Sequence, residues 1–314
     1  MQPTKQLGKY QFKPVAKNIK LNTKKVSIIL PFKNARSTLE ECVQSIINQS
    51  LKDWELIAIN DRSSDGSLEL VTQFAKTDNR IQIYNNKGKG IVDALNYGLT
   101  LSTADFIARM DADDRMKTER LRLQIEYLQE MQDVGLVSSK VVHIPEEGYD
   151  ARGFSSYIDW KNEIKSSNEI SINRFIESPL AHPSVMFRKE LISKYGNYHN
   201  GDFPEDYELW LRLLDNGVKI EKVDACLLEW RDTPRRLSRN DSRYKLESFQ
   251  MLKAKFVSRW ISKEVPKNLS IHGWGAGDVA KQQLKHLEEY GVSLECIYDI
   301  DFKKTRAPKS QGYV

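Results

Sequence analysis

Three aspartates, Asp111, Asp113 and Asp114, lie within four positions of the sequence and follow the apolar residues 106–108. Carboxylates this close repel one another, so such a cluster is usually either a solvated turn or a cation-binding site. Carboxylate oxygens are the ligands that hard divalent cations such as Mg²⁺ and Mn²⁺ prefer. The cluster therefore indicates a metal-binding loop at the end of a buried strand, with a solvated acidic turn as the alternative.

A second acidic pair, Glu205 and Asp206, begins the segment "PEDYELWLRLLDNG". Pro204 suits the first turn of a helix and Gly217 suits its C-terminus, so the segment is predicted to be helical. Acids in a first turn also complement the helix dipole, which is the alternative to a catalytic role. The helical repeat places Asp206 on the same face as Trp210, and it predicts that Asp206 lies nearer the interior than Glu205.

The elements that must position these acids alternate along the chain from residue 26. Apolar periodicity predicts strands at 26–30, 54–60, 81–84 and 106–110 and helices at 35–48, 68–75 and 91–101. This alternation predicts an α/β fold with a mostly parallel, Rossmann-like sheet flanked by helices. Parallel sheets bind ligands beyond the carboxyl ends of their strands. The polar loops 31–34, 61–67 and 111–114 follow three of these strands and are expected to meet along one edge.

Two loops between the strands and helices suggest nucleotide contacts. Asp61 follows an apolar strand and could accept hydrogen bonds from a ribose or a base, although a turn or a helix cap would also explain it. The segment "NNKGKG" (85–90) places Lys87 and Gly90 directly before a helix, where backbone N–H groups favour anions. A solvated loop is an equal alternative for the two lysines of this segment.

Four motifs in a fixed order carry a resemblance to a known family: "VSIILPFKN", "LIAINDRSSDGS", "NKGKGIVDALNYGL" and "IARMDADD". They resemble the nucleotide-binding half of the family 2 glycosyltransferases, which have the GT-A fold. With the segment around "PEDYELWLRL", the similarity covers about residues 25–231. It implies an inverting transfer of a sugar from a nucleotide-diphosphate donor, UDP by analogy, to a hydroxyl of a glycan or lipid-linked acceptor in cell-surface polysaccharide synthesis.

The resemblance also implies roles for individual residues. Asp111 and Asp113 match the D-x-D motif and are expected to bind Mn²⁺ or Mg²⁺ on the diphosphate, whereas Asp206 matches the general base. Asp114 is expected to support the metal site or to cap the helix that begins near Thr118. The donor nucleotide is expected to contact Pro31, Phe32, Asn34, Asp61, Lys87, Gly90, Asp111 and Ala112. The expected acceptor or phosphate contacts are His182, Glu205, Trp210 and Arg231.

One segment departs from the family pattern. The family frequently places a histidine after its last strand to complete the donor site, but "EWRDTPRRLS" (229–238) contains none. Arg231, Arg235 and Arg236 could bind phosphate instead, and the third protein ligand to the metal stays open. The basic residue that the family often carries in the helix after the 85–90 loop is replaced here by Leu95.

The C-terminal part of the chain contains a motif from a different class of protein. Gly275, Gly277 and Ala280 fit G-x-G-x-x-A, and Asp299 or Asp301 ends the next strand about 20 residues on. Alone, this motif would predict an NAD(P)- or FAD-dependent oxidoreductase. One strand–helix–strand unit is too small for a dinucleotide crevice, so a structural Rossmann-like appendage is favoured. A catalytically silent nucleotide-sugar binding protein is the remaining alternative.

Four aromatic residues in the segment 143–173 leave two interpretations open. These residues are Tyr149, Phe154, Tyr157 and Trp160. They could line a carbohydrate platform or pack as core, and core packing is favoured.

Composition bounds the class of protein. The 314 residues are 40% apolar with charges of both signs, which is typical of a globular chain, and no stretch has the length and apolarity of a membrane span or a signal peptide. We therefore expect a cytoplasmic protein. Its three cysteines, Cys42, Cys226 and Cys296, are expected to be reduced core residues.

The net charge of +5 is concentrated in seven lysines among residues 1–25, which include no acid. The body of the chain lacks the basic surface of a general nucleic-acid binder, so no nucleic-acid partner is expected. The basic tail could associate with the inner face of an anionic membrane. The expected organisation is a tail at 1–24, a transferase domain at 25–240, a helical connector at 241–268 and a Rossmann-like segment at 269–314.

Overall fold

The computed structural model describes residues 25–148, 152–234 and 236–301. The predicted basic tail, Tyr149 and Arg235 lie outside the described residues. The larger sheet contains β1 (Val26–Phe32), β2 (Trp54–Asn60), β3 (Ile81–Asn85), β4 (Phe106–Arg109), β5 (Arg115–Met116), β6 (Val134–Pro145), β7 (Met186–Arg188) and β8 (Lys219–Asp232). A two-stranded sheet contains β9 (His272–Trp274) and β10 (Cys296–Tyr298).

The described helices flank and extend these sheets. They are α1 (Leu39–Ile47), α2 (Ser67–Thr77), α3 (Gly90–Leu101), α4 (Arg120–Glu130), α5 (Arg152–Glu163), α6 (Ser167–Asn173), α7 (Glu190–Tyr195), α8 (Glu205–Asp215), α9 (Leu237–Asn240), α10 (Leu246–Glu264) and α11 (Asp278–Glu289). The four predicted strands and three predicted helices of the N-terminal half are all present. Helix α1 begins later than predicted, because residues 35–38 form a turn in which the Thr38 N–H donates to the Ala35 carbonyl at 3.0 Å.

The strands of the larger sheet lie in the order β3-β2-β1-β4-β7-β6-β8-β5. Neighbouring strands in the first half, β3 to β4, are all parallel, and β6 is parallel to β8, whereas β7 and β5 are antiparallel to their neighbours. All residues of β1 and β2 are buried. Burial on both faces explains why these strands appear in the sequence as nearly continuous apolar runs. The predicted α/β fold with a mostly parallel sheet is confirmed.

Alternate residues of β1 build the core on opposite faces of the sheet. Ile28 belongs to a cluster that includes Val43 of α1, whereas Ile29 belongs to a cluster that includes Leu95 of α3 and Trp210 of α8. This alternation is the two-residue period of a strand, with a helical layer covering each face. The loops after β1, β2 and β4 are thereby held at one edge.

The prediction that the cysteines are core residues is confirmed only for Cys42. Cys42 is buried, but Cys226 is exposed and Cys296 is partly exposed, and all three are free thiols. Cys226 lies where the β6–β8 pairing is irregular, between the partners Val223 and Leu228.

Among the described helices, none is both long enough and apolar enough to cross a bilayer.

The C-terminal unit is a β-α-β segment, as predicted. Strands β9 and β10 are parallel and α11 connects them. Gly275 adopts a φ of 99°, and a Cβ atom added there would lie 3.3 Å from Cβ of Ala280. The Ala276 N–H donates to the Asp299 carboxylate at 2.6 Å. The glycine and the acid of the G-x-G-x-x-A motif thus have structural tasks within the unit.

The close approach of α3 to β1 gives a stability prediction. A Cβ atom at Gly98 would lie 2.6 Å from Cγ2 of Ile29, so we expect Gly98→Ala to lower the free energy of unfolding by about 1–3 kcal/mol through overpacking. Gly153, in the first turn of α5, has open space around its Cβ direction and serves as the control. Gly153→Ala is expected to raise the free energy of unfolding by about 0.5–1 kcal/mol. Urea unfolding of both variants checks this, and equal effects would contradict it.

Candidate functional site

A cavity of about 1010 Å³ opens at the edge where the loops after β1, β2 and β4 meet. The loops therefore converge as predicted. Most of the sequence-predicted donor residues line this cavity: Pro31, Phe32, Asn34, Asp61, Gly90, Asp111 and Ala112. Lys87 does not line it, since its Nζ lies over the Tyr97 ring, 4.7 Å from the centroid.

The acidic cluster after β4 has the geometry of a cation site. Carboxylate oxygens of Asp111, Asp113 and Asp114 all lie within 4.8 Å of one another. Burial and the neighbouring Asp111 raise the pKa of Asp113 to about 6, and burial also raises the pKa of Asp114. Raised carboxyl pKa values show that the cluster holds unfavourable negative charge in the absence of a cation.

Asp114 is completely buried and supports the loop. Its Oδ1 accepts a hydrogen bond from the Arg231 backbone N–H at 2.8 Å, whereas its buried Oδ2 has no partner among the described residues. It does not cap α4, whose N-cap residue is Glu119. Three clustered carboxylates, one of which has an unpartnered buried oxygen, fit a hard divalent cation.

Arg109 is a site residue that the sequence analysis missed. It is buried, it lines the cavity and its guanidinium forms an ion pair with Asp111. Burial opposes its charge, but Asp111 outweighs this effect and raises the pKa of Arg109. An arginine at the end of an apolar strand, two residues before the D-x-D motif, was the signal that could have revealed it.

Asp61 joins two of the loops. Its carboxylate accepts hydrogen bonds from Nδ2 of Asn86 at 2.8 Å and from the Gly90 N–H at 3.1 Å. Gly90 has a φ of 84°, a left-handed conformation that glycine adopts readily. Asn34, with a φ of 49°, accepts a hydrogen bond from the Ser64 N–H at 2.9 Å. These side chains therefore fix the loops as well as line the cavity.

The two acids that begin α8 both line the cavity, but not with the predicted burial. Glu205 is 2% exposed and accepts a hydrogen bond from the Tyr244 hydroxyl at 2.8 Å, whereas Asp206 is only half-buried. Helix α8 is buried on nearly every side. Its buried residues are Glu205, Tyr207, Glu208, Leu209, Trp210, Leu211, Arg212 and Leu213. Helical periodicity therefore cannot predict which of the two acids is more buried, because both faces of this helix are covered.

The charged state of these acids depends on their surroundings. Burial and the neighbouring Asp206 raise the pKa of Glu205 to about 7. Burial also raises the pKa of Asp206, and the Tyr207 N–H at 2.7 Å together with the positive charges of Lys161 and Arg109 oppose that rise. Lys161 and Arg109 thus favour the ionised form of Asp206, and Arg243, 3.6 Å from the Glu205 carboxylate, acts in the same way on Glu205.

Lys161 of α5 is a second residue that the sequence analysis missed. It is buried and lines the cavity, and its Nζ donates to the Leu180 carbonyl at 3.2 Å. The same Nζ lies 4.3 Å from the Tyr157 ring centroid and 4.9 Å from that of Trp230. Burial lowers its pKa well below the usual range. A lysine within an amphipathic helix gives no sequence signal, because most such lysines are solvated.

The aromatic residues of α5 pack as expected. Phe154 lies 5.2 Å from Trp230 between ring centroids, and Tyr157 is stacked on Trp160 at 5.9 Å. Phe154 and Tyr157 also line the cavity. Core packing and a contribution to the site wall therefore coincide in this segment.

Of three predicted acceptor or phosphate contacts, His182 lines the cavity, whereas Trp210 and Arg231 do not. His182 lines the cavity, but its Nε2 lies 2.9 Å from the Tyr198 hydroxyl, and burial lowers its pKa well below the usual value. Trp210 is fully buried in the core and does not line the cavity. Arg231 does not line it either, since its guanidinium forms an ion pair with Glu41.

A further part of the wall comes from residues 233–249, which we call the covering segment. Its described cavity-lining residues are Thr233, Arg236, Leu237, Ser238, Asp241, Arg243, Tyr244, Leu246 and Phe249. Of the arginines that the sequence analysis weighed, Arg236 therefore reaches the cavity. The sequence analysis did not assign residues 237–249 to the site, because their polar composition is that of an ordinary connector.

The raised pKa of Glu205 gives a pH-dependent stability prediction. Its folded pKa of about 7 exceeds the unfolded value of 4.5, so the wild-type protein loses stability as the pH rises between these values. A glutamine does not titrate, so Glu205→Gln should gain stability relative to wild type by about 1–3 kcal/mol between pH 5 and pH 8. Denaturant unfolding at both pH values measures this. A pH-independent difference would contradict it. Glu247→Gln, at an exposed position, is the control.

Comparison with known proteins identifies the family of this chain. Residues 27–196, more than half of the chain, match the family model "Glycosyl transferase family 2". The O-antigen biosynthesis glycosyltransferase WbnJ of Escherichia coli is 31% identical over 214 residues, which are 66% of this chain and 79% of WbnJ. The E. coli UDP-Gal:alpha-D-GlcNAc-diphosphoundecaprenol beta-1,3-galactosyltransferase is 30% identical over 213 residues, which are 67% of this chain and 75% of that enzyme.

A solved structure supports the fold. The mannosyltransferase PcManGT of Pyrobaculum calidifontis, in complex with GDP-Man and Mn²⁺, has a TM-score of 0.53 and 16% identity, covering 85% of this chain and 69% of that one. At this identity the likeness establishes architecture alone. The family match and the curated relatives together establish that the chain belongs to glycosyltransferase family 2 and has the GT-A fold.

Proposed function

We propose that this glycosyltransferase moves a sugar, with inversion, from a UDP-sugar to a hydroxyl of a lipid-linked saccharide during polysaccharide synthesis. The observation that carries the proposal is that Asp206 and the cluster Asp111, Asp113 and Asp114 contribute to one site. Asp206, Asp111 and Asp113 line the same cavity, and Asp114 shares the cluster with the last two. A single displacement at a sugar carbon requires a base for the acceptor hydroxyl and a cation that stabilises the leaving diphosphate, both within one cavity.

The proposed reaction is a single displacement. Asp206 takes the proton of the acceptor hydroxyl while the acceptor oxygen forms a bond to the anomeric carbon. The bond from that carbon to the β-phosphate oxygen breaks, and its electron pair leaves with the nucleoside diphosphate. Attack opposite the leaving group inverts the anomeric configuration. Lys161 and Arg109 contribute positive charge that favours the ionised form of Asp206.

The acidic cluster would hold the divalent cation, with Asp111 and Asp113 as ligands. When bound, Mn²⁺ or Mg²⁺ supplies positive charge that stabilises the leaving diphosphate. The Mn²⁺ of the Pyrobaculum mannosyltransferase supports this choice of cofactor. Arg109 would hold the Asp111 carboxylate in place through its ion pair, and Asp114 would fix the loop through the Arg231 N–H.

The donor and acceptor classes are inferred from relatives. The E. coli galactosyltransferase is named for UDP-Gal and for a diphosphoundecaprenol-linked sugar, which supports a UDP donor and a lipid-linked acceptor. An acceptor of this kind would bring a cytoplasmic enzyme to the inner face of the membrane. The name of WbnJ supports a role in polysaccharide biosynthesis.

The proposed base gives the first activity prediction. Asp206→Asn should lower the rate of transfer by about 10²–10⁴-fold, because the amide cannot accept the acceptor proton, while UDP binding stays within about threefold of wild type. The measurement is release of free nucleoside diphosphate from a panel of UDP- and GDP-sugars with Mn²⁺. Asp202→Asn, an exposed aspartate just before α8, is the control. Unchanged transfer by Asp206→Asn at saturating donor and acceptor would refute the assignment.

The proposed metal site gives a prediction that does not depend on turnover. Asp113→Asn should weaken Mn²⁺ binding at least about tenfold, because one of the clustered carboxylates is lost. Since the Asp113 pKa is about 6, binding of Mn²⁺ by the wild-type protein should also weaken as the pH falls from 7.5 to 5. Calorimetric titration with MnCl₂ measures both effects. Asp105→Asn, at an exposed position before β4, should bind as wild type does; equal affinities for the two variants would count against the site.

A further inference from the structure

Arg236, in the covering segment, is held in a fixed position at the cavity wall. Its guanidinium carbon lies 4.5 Å from the Trp230 ring centroid and 5.3 Å from that of Phe154. Its side chain is only 12% exposed, and the residue lines the cavity. Aromatic faces on which a guanidinium rests orient its planar fork without using its N–H donors.

The guanidinium of Arg236 has unused hydrogen-bonding capacity. Its buried Nη1 has no hydrogen-bond partner among the described residues. Asp232 Oδ1 lies 3.9 Å away, beyond hydrogen-bond distance, and that same oxygen is 2.5 Å from Arg239 Nη1. A buried charged donor without a partner is costly, so a residue kept in this state is expected to find its partner in a ligand.

Other buried or half-buried cations around the cavity are already engaged. Arg109 forms an ion pair with Asp111, the Lys161 Nζ donates to the Leu180 carbonyl at 3.2 Å, and Arg243 Nη2 lies 2.9 Å from Asp241. Arg109 also has a buried Nε without a hydrogen-bond partner among the described residues, but its guanidinium is in direct contact with the Asp111 carboxylate. Arg236 Nη1 lies 3.9 Å from the Asp232 oxygen, so Arg236 combines a fixed position with a donor that is not in direct contact with a carboxylate.

The position of Arg236 relates it to the acidic cluster. Arg236 lines the same cavity as Asp111 and Asp113, the proposed ligands of the cation. A diphosphate bound through a cation at this cluster would therefore lie in the cavity that Arg236 lines.

We propose that Arg236 binds the diphosphate of the nucleotide-sugar donor through paired N–H donors and stabilises the negative charge of the departing nucleoside diphosphate. The inference rests on the proposed function, because it takes the donor to be a nucleoside-diphosphate sugar. A planar guanidinium matches two phosphate oxygens, which a lysine ammonium does not. Arg236 would thus supply, from the covering segment, a charge that does not depend on the metal.

Calorimetric titration with UDP and with UMP, both in the presence of Mn²⁺, tests the proposal. UMP lacks the β-phosphate, so the difference between the two affinities reports contacts to that group. Arg236→Met should weaken UDP binding by about 10- to 100-fold and UMP binding by less than about threefold. Arg236→Lys should fall between wild type and Arg236→Met. Arg122→Met, which removes a surface arginine paired with Glu119 and Glu126, should leave both affinities unchanged.

The outcomes separate this inference from the proposed function. Equal losses of UDP and UMP affinity in Arg236→Met would show that Arg236 only supports the wall, and unchanged UDP affinity would show that it does not touch the diphosphate. Either result overturns the inference and leaves the transferase assignment standing. A wild-type protein that binds neither UDP nor GDP more tightly than the corresponding monophosphate would contradict both. Melting temperatures of the variants confirm that each one is folded.

Discussion

Electrostatic repulsion among Asp111, Asp113 and Asp114 is the constraint on which the rest of the site depends. Three carboxylates within 4.8 Å of one another destabilise the fold unless positive charge or hydrogen-bond donors compensate them. The protein provides part of that compensation itself. Arg109 pairs with Asp111, the Arg231 N–H binds Asp114, and the Arg236 charge favours the ionised forms of Asp113 and Asp114. Burial and mutual repulsion still raise the pKa values of Asp113 and Asp114, and a bound cation would favour their ionised forms.

The sequence predicted the edge of the sheet at which this cluster lies, because the burial of each strand is visible in its own residues. Strands β1 and β2 are buried on both faces, so they had to appear as apolar runs, and the polar residues that follow them had to lie at the carboxyl ends of parallel strands. Asp61 and Gly90 were identifiable for the same reason. Their hydrogen bond joins two loops whose positions the strand order fixes.

The sequence could not rank residues whose environment comes from distant parts of the chain. Periodicity assigned Asp206 to the inner face of α8, but α10 covers the outer side through Leu252 and Phe256, so the helix is buried on nearly every side and Glu205 is the more buried acid. Lys161 was missed for a related reason. Its partner, the Leu180 carbonyl, is 19 residues away, and no spacing rule connects them.

Helix α10 also connects the C-terminal unit to the site, and this structural role is not evident from the G-x-G-x-x-A motif. Helix α11 packs on α10, and α10 in turn packs against α8, which carries Glu205 and Asp206. Within the unit, the Asp299 carboxylate accepts the N–H groups of Ala276 and Asp301. Asp299, the acid that would bind a ribose in a dinucleotide site, is thus used to fix the loops of the unit. These contacts favour a unit that buttresses the helix bearing the proposed base over one that binds a second nucleotide.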